Sequence, residues 1–133
     1  MLVKDFMTST IVTADEKTPV VEAARMMAAE EIGSLFVTHK DVMVGVVTEK
    51  DIIGAQLLSE ESYHALTLRD IMSSPVVSVQ PDVDLWTVIK LMDQTGKHHL
   101  PVVSETSAIG VVSATDLIRV LATMKLIADG AED

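Results

Sequence analysis

Two copies of one short run decide the fold of this chain: GVVTEKDII at residues 45–53 and GVVSATDLI at residues 110–118. Each copy begins with a glycine and two apolar residues, continues with a hydroxyl residue, and carries an aspartate three positions after the hydroxyl. This pattern is typical of a strand that ends at the first turn of a helix. Each copy therefore predicts a buried strand that leads directly into a helix.

The two copies belong to an internal repeat that covers the whole chain. A shift of 65 residues aligns the two halves without a gap and superimposes identical residues, including Gly45 on Gly110 and Asp51 on Asp116. Self-similarity at a fixed period indicates a tandem duplication. We predict a first domain, a second domain and a flexible tail, at residues 1–65, 66–128 and 129–133.

The composition argues against several classes of function. The 133 residues include 20 acidic and 10 basic side chains, and the formal net charge of −10 disfavours nucleic acid or an anionic membrane surface as the partner. Cysteine is absent, which excludes disulfides and thiolate metal sites. Hydrophobic residues make up 48%, enough for a substantial core, but no apolar run approaches the roughly 20 residues of a membrane span. We expect a cytoplasmic protein.

The hydrophobic pattern predicts the same elements in each half. A short turn of helix is followed by a strand, a helix that begins near a proline, two strands joined by a polar connector, and a final helix. In the first half these lie at residues 3–7, 11–13, from Pro19, 35–37, 43–47 and 49–58, with a polar linker at 59–67. In the second half they lie at residues 68–72, 76–78, from Pro81, 100–103, 109–112 and 114–128. This order predicts a mixed α/β (α+β) fold in which two strand-helix-strand-strand-helix repeats pack through their sheets.

The hydroxyl and the aspartate of each copy permit two interpretations. Thr48 with Asp51, and Ser113 with Asp116, match the capping box, in which two side chains satisfy the free N–H groups of a helix end. The same arrangement suits a nucleotide, because a helix N-terminus stabilises phosphate and a carboxylate accepts hydrogen bonds from ribose hydroxyls. Capping alone can explain a single copy, and both interpretations stay open at this point.

Taken together, these features resemble a pair of CBS domains, also called a Bateman module. The resemblance covers residues 3 to about 128 and rests on the tandem repeat, the element order and the Gly-h-h-[Thr/Ser]-x-x-Asp-h-h ending of both halves, where h is apolar. It implies two repeats related by pseudo-two-fold symmetry, which form a regulatory module rather than an enzyme. In the family, two clefts between the halves bind adenosine-containing ligands such as AMP, ADP, ATP or S-adenosylmethionine.

The resemblance also implies which residues line each cleft. For the first cleft they are Val46, Thr48 and Asp51 with Val76, Val77, His98 and His99. Asp51 is expected to accept the ribose hydroxyls, Thr48 to bind near ribose and phosphate, the paired valines to flank the base, and the histidines to face the phosphate. For the second cleft they are Val111, Ser113 and Asp116 with Ile11, Val12, Gly33 and Ser34. Because Gly33 and Ser34 replace the histidines there, we expect the second cleft to be empty or to prefer a less negative ligand, and we rank the Asp51 cleft first.

Four further residues permit more than one role. His98 and His99 are adjacent near a strand, so their side chains point to opposite faces and one of them is expected to be structural. Trp86 fits either the core or, as the resemblance implies, a helical surface through which two modules pair. Arg119 lies one turn after Asp116 and fits either an i,i+3 ion pair or a phosphate contact.

The leading hypothesis is a sensor of adenine nucleotides. Its partners would be the ligand, a second copy bound through the helices, and a regulated protein. The rival hypothesis is a structural pairing module that binds no small molecule. An enzyme is the weakest interpretation, because the sequence contains no Ser-His-Asp order, metal-ligand set, Walker loop or dinucleotide fingerprint. We expect neither a metal nor an obligatory cofactor.

Overall fold

A computed structural model describes residues 1–105 and 107–130 of the chain. Over these residues the chain forms a 3-10 turn at Val3–Asp5, six helices and five strands. The helices are α1 (Val20–Glu30), α2 (Glu49–Gln56), α3 (Glu60–Ala65), α4 (Leu68–Ile71), α5 (Leu85–Thr95) and α6 (Ala114–Gly130). The strands are β1 (Thr13–Asp15), β2 (Ser34–His39), β3 (Val42–Thr48), β4 (His99–Ser104) and β5 (Ser107–Ser113). The predicted mixed class and both predicted hairpins are confirmed.

Contacts between residues divide the chain into two compact units. The first unit is Val12–Val76, and the second unit is Met1–Ile11 with Val77–Asp133. The segment that precedes each repeat in sequence therefore packs into the other unit's core. Val3 is fully buried in the second unit, and Leu68 is fully buried in the first.

The first unit contains a three-stranded sheet in the order β1-β2-β3. β1 runs parallel to β2, and β2 pairs antiparallel with β3 in a register that sets Ser34 opposite Thr48. The parallel strands are joined through α1, as the strand-helix-strand order predicts. The core of this unit consists of Val20, Ala23, Met27, Leu35, Val37, Val47, Ile52, Ala55 and Leu68.

In the described part of the second unit, the sheet consists of β4 and β5, and the strand predicted at residues 76–78 does not form. A single parallel bridge joins Val79 to Val102 instead. In the first unit, the Glu16 N–H extends the ladder by donating to a β2 carbonyl over 2.8 Å. Pro81 occupies the equivalent position and has no N–H to donate, so the ladder stops after Val79. Before Val79, Pro101 stands where the first unit has Phe36, whose N–H donates to the Val12 carbonyl over 3.1 Å, and this proline also has no N–H to donate. The core of this unit consists of Val3, Val79, Leu85, Val88, Met92, Leu100, Val102, Val112 and Leu117.

Three differences from the sequence prediction are larger than a shift of an element's end by one or two residues or concern the start of the sheet. β1 begins at Thr13, the first residue whose register partner lies in β2. The predicted linker contains α3, which is capped by the Ser59 hydroxyl as it accepts the Ser62 N–H over 3.2 Å. α6 continues to Gly130 and includes the start of the predicted tail, whereas residues 131–133 of that tail lie outside the described residues.

Within residues 1–105 and 107–130, no helix combines the length and the apolar character that crossing a membrane requires.

Candidate functional site

The Thr48 corner is the junction of β3 and α2, and it is formed by Thr48 and Asp51. Thr48 is the N-cap of α2 and forms a capping box with Asp51. The Thr48 N–H donates to Asp51 Oδ2 over 2.9 Å, and the Thr48 hydroxyl donates to the same oxygen over 3.2 Å. Among the described residues, the other oxygen, Oδ1, has no hydrogen-bond partner. One oxygen of this carboxylate therefore caps the helix, and the other is available to a ligand.

The Ser113 corner is the equivalent junction of β5 and α6, and it is formed by Ser113 and Asp116. The Ser113 N–H donates to Asp116 Oδ2 over 2.9 Å, and the Asp116 N–H donates to the Ser113 hydroxyl over 3.2 Å. Asp116 Oδ1 lies 3.9 Å from Arg119 Nη1, which confirms the i,i+3 ion pair. The Arg119 side chain is 77% exposed, so its guanidinium is open to solvent.

Both corners are capping boxes, and this interpretation is confirmed. A third box has the same geometry: the Thr67 N–H donates to Asp70 Oδ2 over 2.8 Å, and the Thr67 hydroxyl donates to the same oxygen over 3.1 Å. No sequence feature predicted a ligand at Thr67. A hydroxyl and an aspartate three residues apart are therefore insufficient evidence for a binding site.

A glycine and a crossing segment distinguish the two corners from the Thr67 box. A Cβ atom added to Gly45 would lie 2.5 Å from Met72 Sδ, and one added to Gly110 would lie 2.6 Å from the Thr8 carbonyl oxygen. These glycines allow a neighbouring segment to cross the strand just before each corner. Val46 exchanges two backbone hydrogen bonds with Ser73, at 3.1 and 2.9 Å.

Val111 makes the same exchange with Thr8, at 2.9 Å in both directions. The residues predicted to flank a base follow these crossing points at equal distance, since Val76 lies three residues after Ser73, and Ile11 three after Thr8. Within each unit, the crossing segment thus leads from the corner strand to one predicted base contact.

The predicted phosphate-facing residues lie beside the Ser113 corner. The Ala114 N–H donates to the His98 carbonyl over 2.9 Å, and His99 lies opposite Ser113 in the β4–β5 register. His98 precedes the strand and is exposed, whereas His99 is half-buried. The predicted hairpin already contained this information, because pairing Leu100 with residue 112 also pairs His99 with Ser113.

The equivalent places beside the Thr48 corner are taken by Gly33 and Ser34. The Glu49 N–H donates to the Gly33 carbonyl over 3.3 Å, and Ser34 lies opposite Thr48. The predicted cleft sets combined each aspartate with residues of the other unit, namely Val77, His98 and His99 for Asp51, and Val12, Gly33 and Ser34 for Asp116. Those combinations stay predictions.

A contact between a buried carboxylate and a histidine in the first unit was not predicted from the sequence. Glu16 is 8% exposed, and its Oε1 lies 2.7 Å from His39 Nδ1. The pair lies at the end of β2 opposite to Ser34 and hence away from the Thr48 corner. No sequence spacing signals it, because the two residues meet only when β1 and β2 pair in this register. Its position indicates a structural role.

A polar groove of about 710 Å³ lies in the second unit, at the end of β4 away from Ser113. It is lined by Ser78, Val79, Gln80, Pro81, Asp82, Val103, Ser104 and Glu105. None of these residues was predicted to bind a ligand. The described residues contain no group of three or more histidine or carboxylate side chains that could hold a metal ion.

The CBS domain model matches this chain twice, at residues 3–58 and 68–123. The chain belongs to the CBS domain family. Its similar relatives include the uncharacterized protein MK0525 of Methanopyrus kandleri, which is 32% identical over 83% of this chain and 57% of its own length. The CBS domain-containing protein YhcV of Bacillus subtilis is 29% identical over 86% of this chain and 81% of its own length.

Solved CBS structures have the same fold. The CBS domain pair of protein MJ0100, in complex with 5′-methylthioadenosine and S-adenosyl-L-methionine, matches with a TM-score of 0.83 at 25% identity, over 93% of this chain and 98% of that one. The CBS-domain containing protein ATU1752 from Agrobacterium tumefaciens matches with a TM-score of 0.82 at 25% identity, over 90% and 98%. The chain spans 57% of MK0525 and 42% of MJ1225 of Methanocaldococcus jannaschii.

Proposed function

We propose that this CBS domain pair is a non-catalytic regulatory module that binds adenosine-containing ligands at its Thr48 and Ser113 corners. The MJ0100 pair was crystallised with two such ligands, 5′-methylthioadenosine and S-adenosyl-L-methionine. One combination on this chain carries the proposal. The aspartate of the Thr48 corner uses a single oxygen to cap its helix, and beside it Gly45 lets the segment that leads to Val76 cross the strand, a feature that the Thr67 box lacks. The remaining oxygen can accept hydrogen bonds from vicinal ribose hydroxyls.

The chemistry of the corner suits each part of such a ligand. Hydrogen bonds from ribose hydroxyls to Asp51 Oδ1 are charge-assisted and hence stronger than neutral ones. The N-terminus of each corner helix carries a partial positive charge that favours the 5′ end of a nucleotide, and the charged side chains around each corner add to this attraction or oppose it. The crossing segment that contains Val76 offers an apolar edge to the base. AMP, ADP, ATP and S-adenosylmethionine all share the adenosine moiety.

Thermal unfolding of the chain with AMP, ADP, ATP, S-adenosylmethionine and adenosine tests the proposal. A ligand that binds only the folded state stabilises it by about 2.7 kcal/mol at a hundred times its Kd, so the midpoint must rise with ligand concentration. Asp51→Ala and Asp116→Ala are expected to lose binding at their own corner, while the fold survives a cap loss of about 0.5–2 kcal/mol.

Asp70→Ala is the matched control for these two variants. It removes the same kind of capping box from α4, at a place where no ligand is proposed. Its midpoint should fall by a similar amount while ligand binding stays that of the wild type. No ligand-dependent shift in the wild type, or equal loss of binding in Asp70→Ala, would contradict the proposal and favour the structural pairing module.

We also propose that a second copy of the chain binds through the helices, and that a separate protein receives the regulatory signal. The exposed apolar side chains support the first part. Leu121, Met124 and Ile127 lie three residues apart on one face of α6 and are 37%, 40% and 66% exposed. Trp86 on α5 is 59% exposed, so it lies outside the core.

Sedimentation velocity tests this pairing. A homodimer is expected for the wild type and a monomer for Ile127→Glu, because a charge in the centre of an apolar interface remains desolvated and unpaired. Val42→Glu is the control, since Val42 is similarly exposed at 62% but lies on β3. A monomeric wild type, or a dimer that resists Ile127→Glu, would contradict pairing through this face.

A further inference from the structure

The two corners have the same backbone but different charges. The N–H of the first residue of each helix donates to the residue before the hairpin, Glu49 to Gly33 over 3.3 Å and Ala114 to His98 over 2.9 Å. Gly33 and His98 therefore occupy equivalent places beside their corners. The backbone geometry is the same at both corners, but the histidine adds a side chain that can donate a hydrogen bond, and the glycine adds none.

The Thr48 corner is acidic. The first turn of α2 contributes Glu49 and Asp51 against a single cation, Lys50. The position one turn after Asp51 is Gly54, which carries no side chain. Neither Gly33 nor Ser34 adds a cation from the facing strand. A phosphate placed here meets more negative than positive charge.

The Ser113 corner is basic by comparison. The first two helical residues are Ala114 and Thr115, which are uncharged. One turn after Asp116 stands Arg119, with its guanidinium 3.9 Å from the carboxylate and open to solvent. His98 is exposed beside the helix start, and a ring N–H of its imidazole can donate a hydrogen bond.

We infer that the Ser113 corner selects phosphate-bearing adenosine ligands and that the Thr48 corner selects adenosine compounds without phosphate. This inference rests on the proposed function, and it reverses the ranking expected from the sequence, in which the Asp51 cleft received the histidines. Arg119 and His98 attract the phosphate, while Glu49 repels it at the other corner. Each nearby charge changes the affinity for a phosphate by up to about tenfold in a partly solvated site.

Isothermal titration with AMP and with adenosine, on variants that retain one corner each, tests the inference. Asp51→Ala retains the Ser113 corner and is expected to bind AMP at least about tenfold more tightly than adenosine. Asp116→Ala retains the Thr48 corner and is expected to bind adenosine as tightly as AMP or more tightly. Added salt should weaken AMP binding by Asp51→Ala and leave adenosine binding by Asp116→Ala almost unchanged.

Two side-chain variants locate the selectivity. In the Asp51→Ala background, Arg119→Gln and His98→Ala should each lower the affinity for AMP and leave that for adenosine unchanged. Lys125→Ala removes an equal charge further along the same helix, where it pairs with Asp129, and should change neither affinity. Equal AMP and adenosine affinities in Asp51→Ala, or a loss of AMP binding in Lys125→Ala, would overturn the inference.

Amide chemical shifts of the wild type give a second measurement that requires no variant. AMP is expected to shift the Ser113 and Ala114 amides at lower concentration than the Thr48 and Glu49 amides, and adenosine should do the reverse. If neither AMP nor adenosine binds to the wild type, this inference fails, and if no compound of the panel binds, the proposed function fails as well. If both bind but shift the two corners in parallel, the proposed function stands and the selectivity is absent.

Discussion

The segment before the long helix is held differently in the two units. In the first unit it forms β1, continues the ladder through the Glu16 N–H, and buries the Glu16 carboxylate against His39 at 2.7 Å. In the second unit the equivalent residues are Pro81 and Ser104, the ladder stops after Val79, and a polar groove lies where the Glu16–His39 contact would be. The two repeats have thus diverged at one end of the sheet.

The opposite end of the sheet has kept its geometry. Gly45 and Gly110 both allow a segment to cross, and both corners close with the same capping interaction. The divergent end holds structural side chains, whereas the retained end holds the candidate ligand contacts. The backbone of the corner is therefore common to both repeats. The side-chain charges around it, and the pairing of strands at the other end of the sheet, differ between them.

The largest expected effect comes from the glycines. In Gly110→Ala, the new Cβ meets a backbone oxygen at 2.6 Å, which cannot move without displacing the 8–11 segment. In Gly45→Ala, the nearest atoms belong to the Met72 side chain, which can rotate away. We expect losses in the free energy of unfolding of about 2–3 and about 1 kcal/mol respectively, measured by urea denaturation. Equal losses would show that the crossing segments are equally adaptable.

The next largest loss of stability is expected when the contact between His39 and Glu16 is removed. His39→Ala leaves the Glu16 carboxylate, whose side chain is 10% exposed, without its partner. We expect a loss of about 1–2 kcal/mol, because His39 itself is partly solvated. Ser104→Ala, at the equivalent position, should change stability by less than about 0.5 kcal/mol. The effect of His39→Ala should also shrink in a Glu16→Gln background, and an unchanged effect would show that the two side chains are not coupled.

Transferring Glu16 and His39 to the equivalent positions of the second unit tests whether these residues cause the difference between the two sheets. Pro81→Glu with Ser104→His supplies the missing N–H and both side chains. We expect residue 81 to gain hydrogen-exchange protection by bonding the Val103 carbonyl. The net stability should change by less than about 1 kcal/mol, because the new hydrogen bond is offset by the entropy that proline had removed from the unfolded chain. An unprotected amide at residue 81 would mean that proline is not what ends the ladder.

The smallest effect is a pH dependence at α4. The Thr67 N–H, the Thr67 hydroxyl and the neighbouring Arg69 lower the pKa of Asp70 below its ordinary value. Its contribution is therefore complete above the ordinary aspartate pKa and is lost as the pH falls through the lower folded value, below about pH 4. Denaturation of wild type and Asp70→Asn should differ at pH 6, and the difference should shrink as the pH falls below the ordinary aspartate pKa of about 4.

Asp5 is the counterpart of Asp70 in the second unit. The Leu2 N–H donates to its Oδ2 over 2.9 Å, but Leu2 has no hydroxyl to add a second bond. Asp5→Asn should therefore change stability at pH 6 by less than Asp70→Asn does. A larger change at Asp5 would show that the hydroxyl adds little to this capping interaction.

Much of the fold could be predicted because its signals are local. The apolar stripes of α1 and α5, the two hairpins and the strand-to-helix corners each depend on neighbouring residues. α3 was missed although Ser59 and the acidic residues after it form a normal helix start. That helix has no fully buried side chain, and only Tyr63 packs against the core, so no apolar stripe indicated the helical period.

The residues of the candidate site could be predicted from the sequence, but which of them lie together could be predicted only in part. Thr48, Asp51, Ser113 and Asp116 lie at the corners expected from their spacing. The position of His98 beside Ser113 follows from strand register, which the sequence contains but which the family resemblance did not supply. The Glu16–His39 pair depends on the parallel pairing of β1 with β2, and no local pattern encodes that contact.

The interleaving of the two units has a consequence for biosynthesis. Residues 12–76 are contiguous, so the first unit can fold as soon as its last strand and α4 leave the ribosome. The second unit needs Val3 in its core as well as Leu117, which is made more than a hundred residues later. Residues 1–11 therefore remain without their packing partners until Leu117 has been synthesised. A chain that ends after residue 76 would contain the complete first unit and residues 1–11, whose apolar side chains would stay exposed. Chaperones bind such exposed apolar segments.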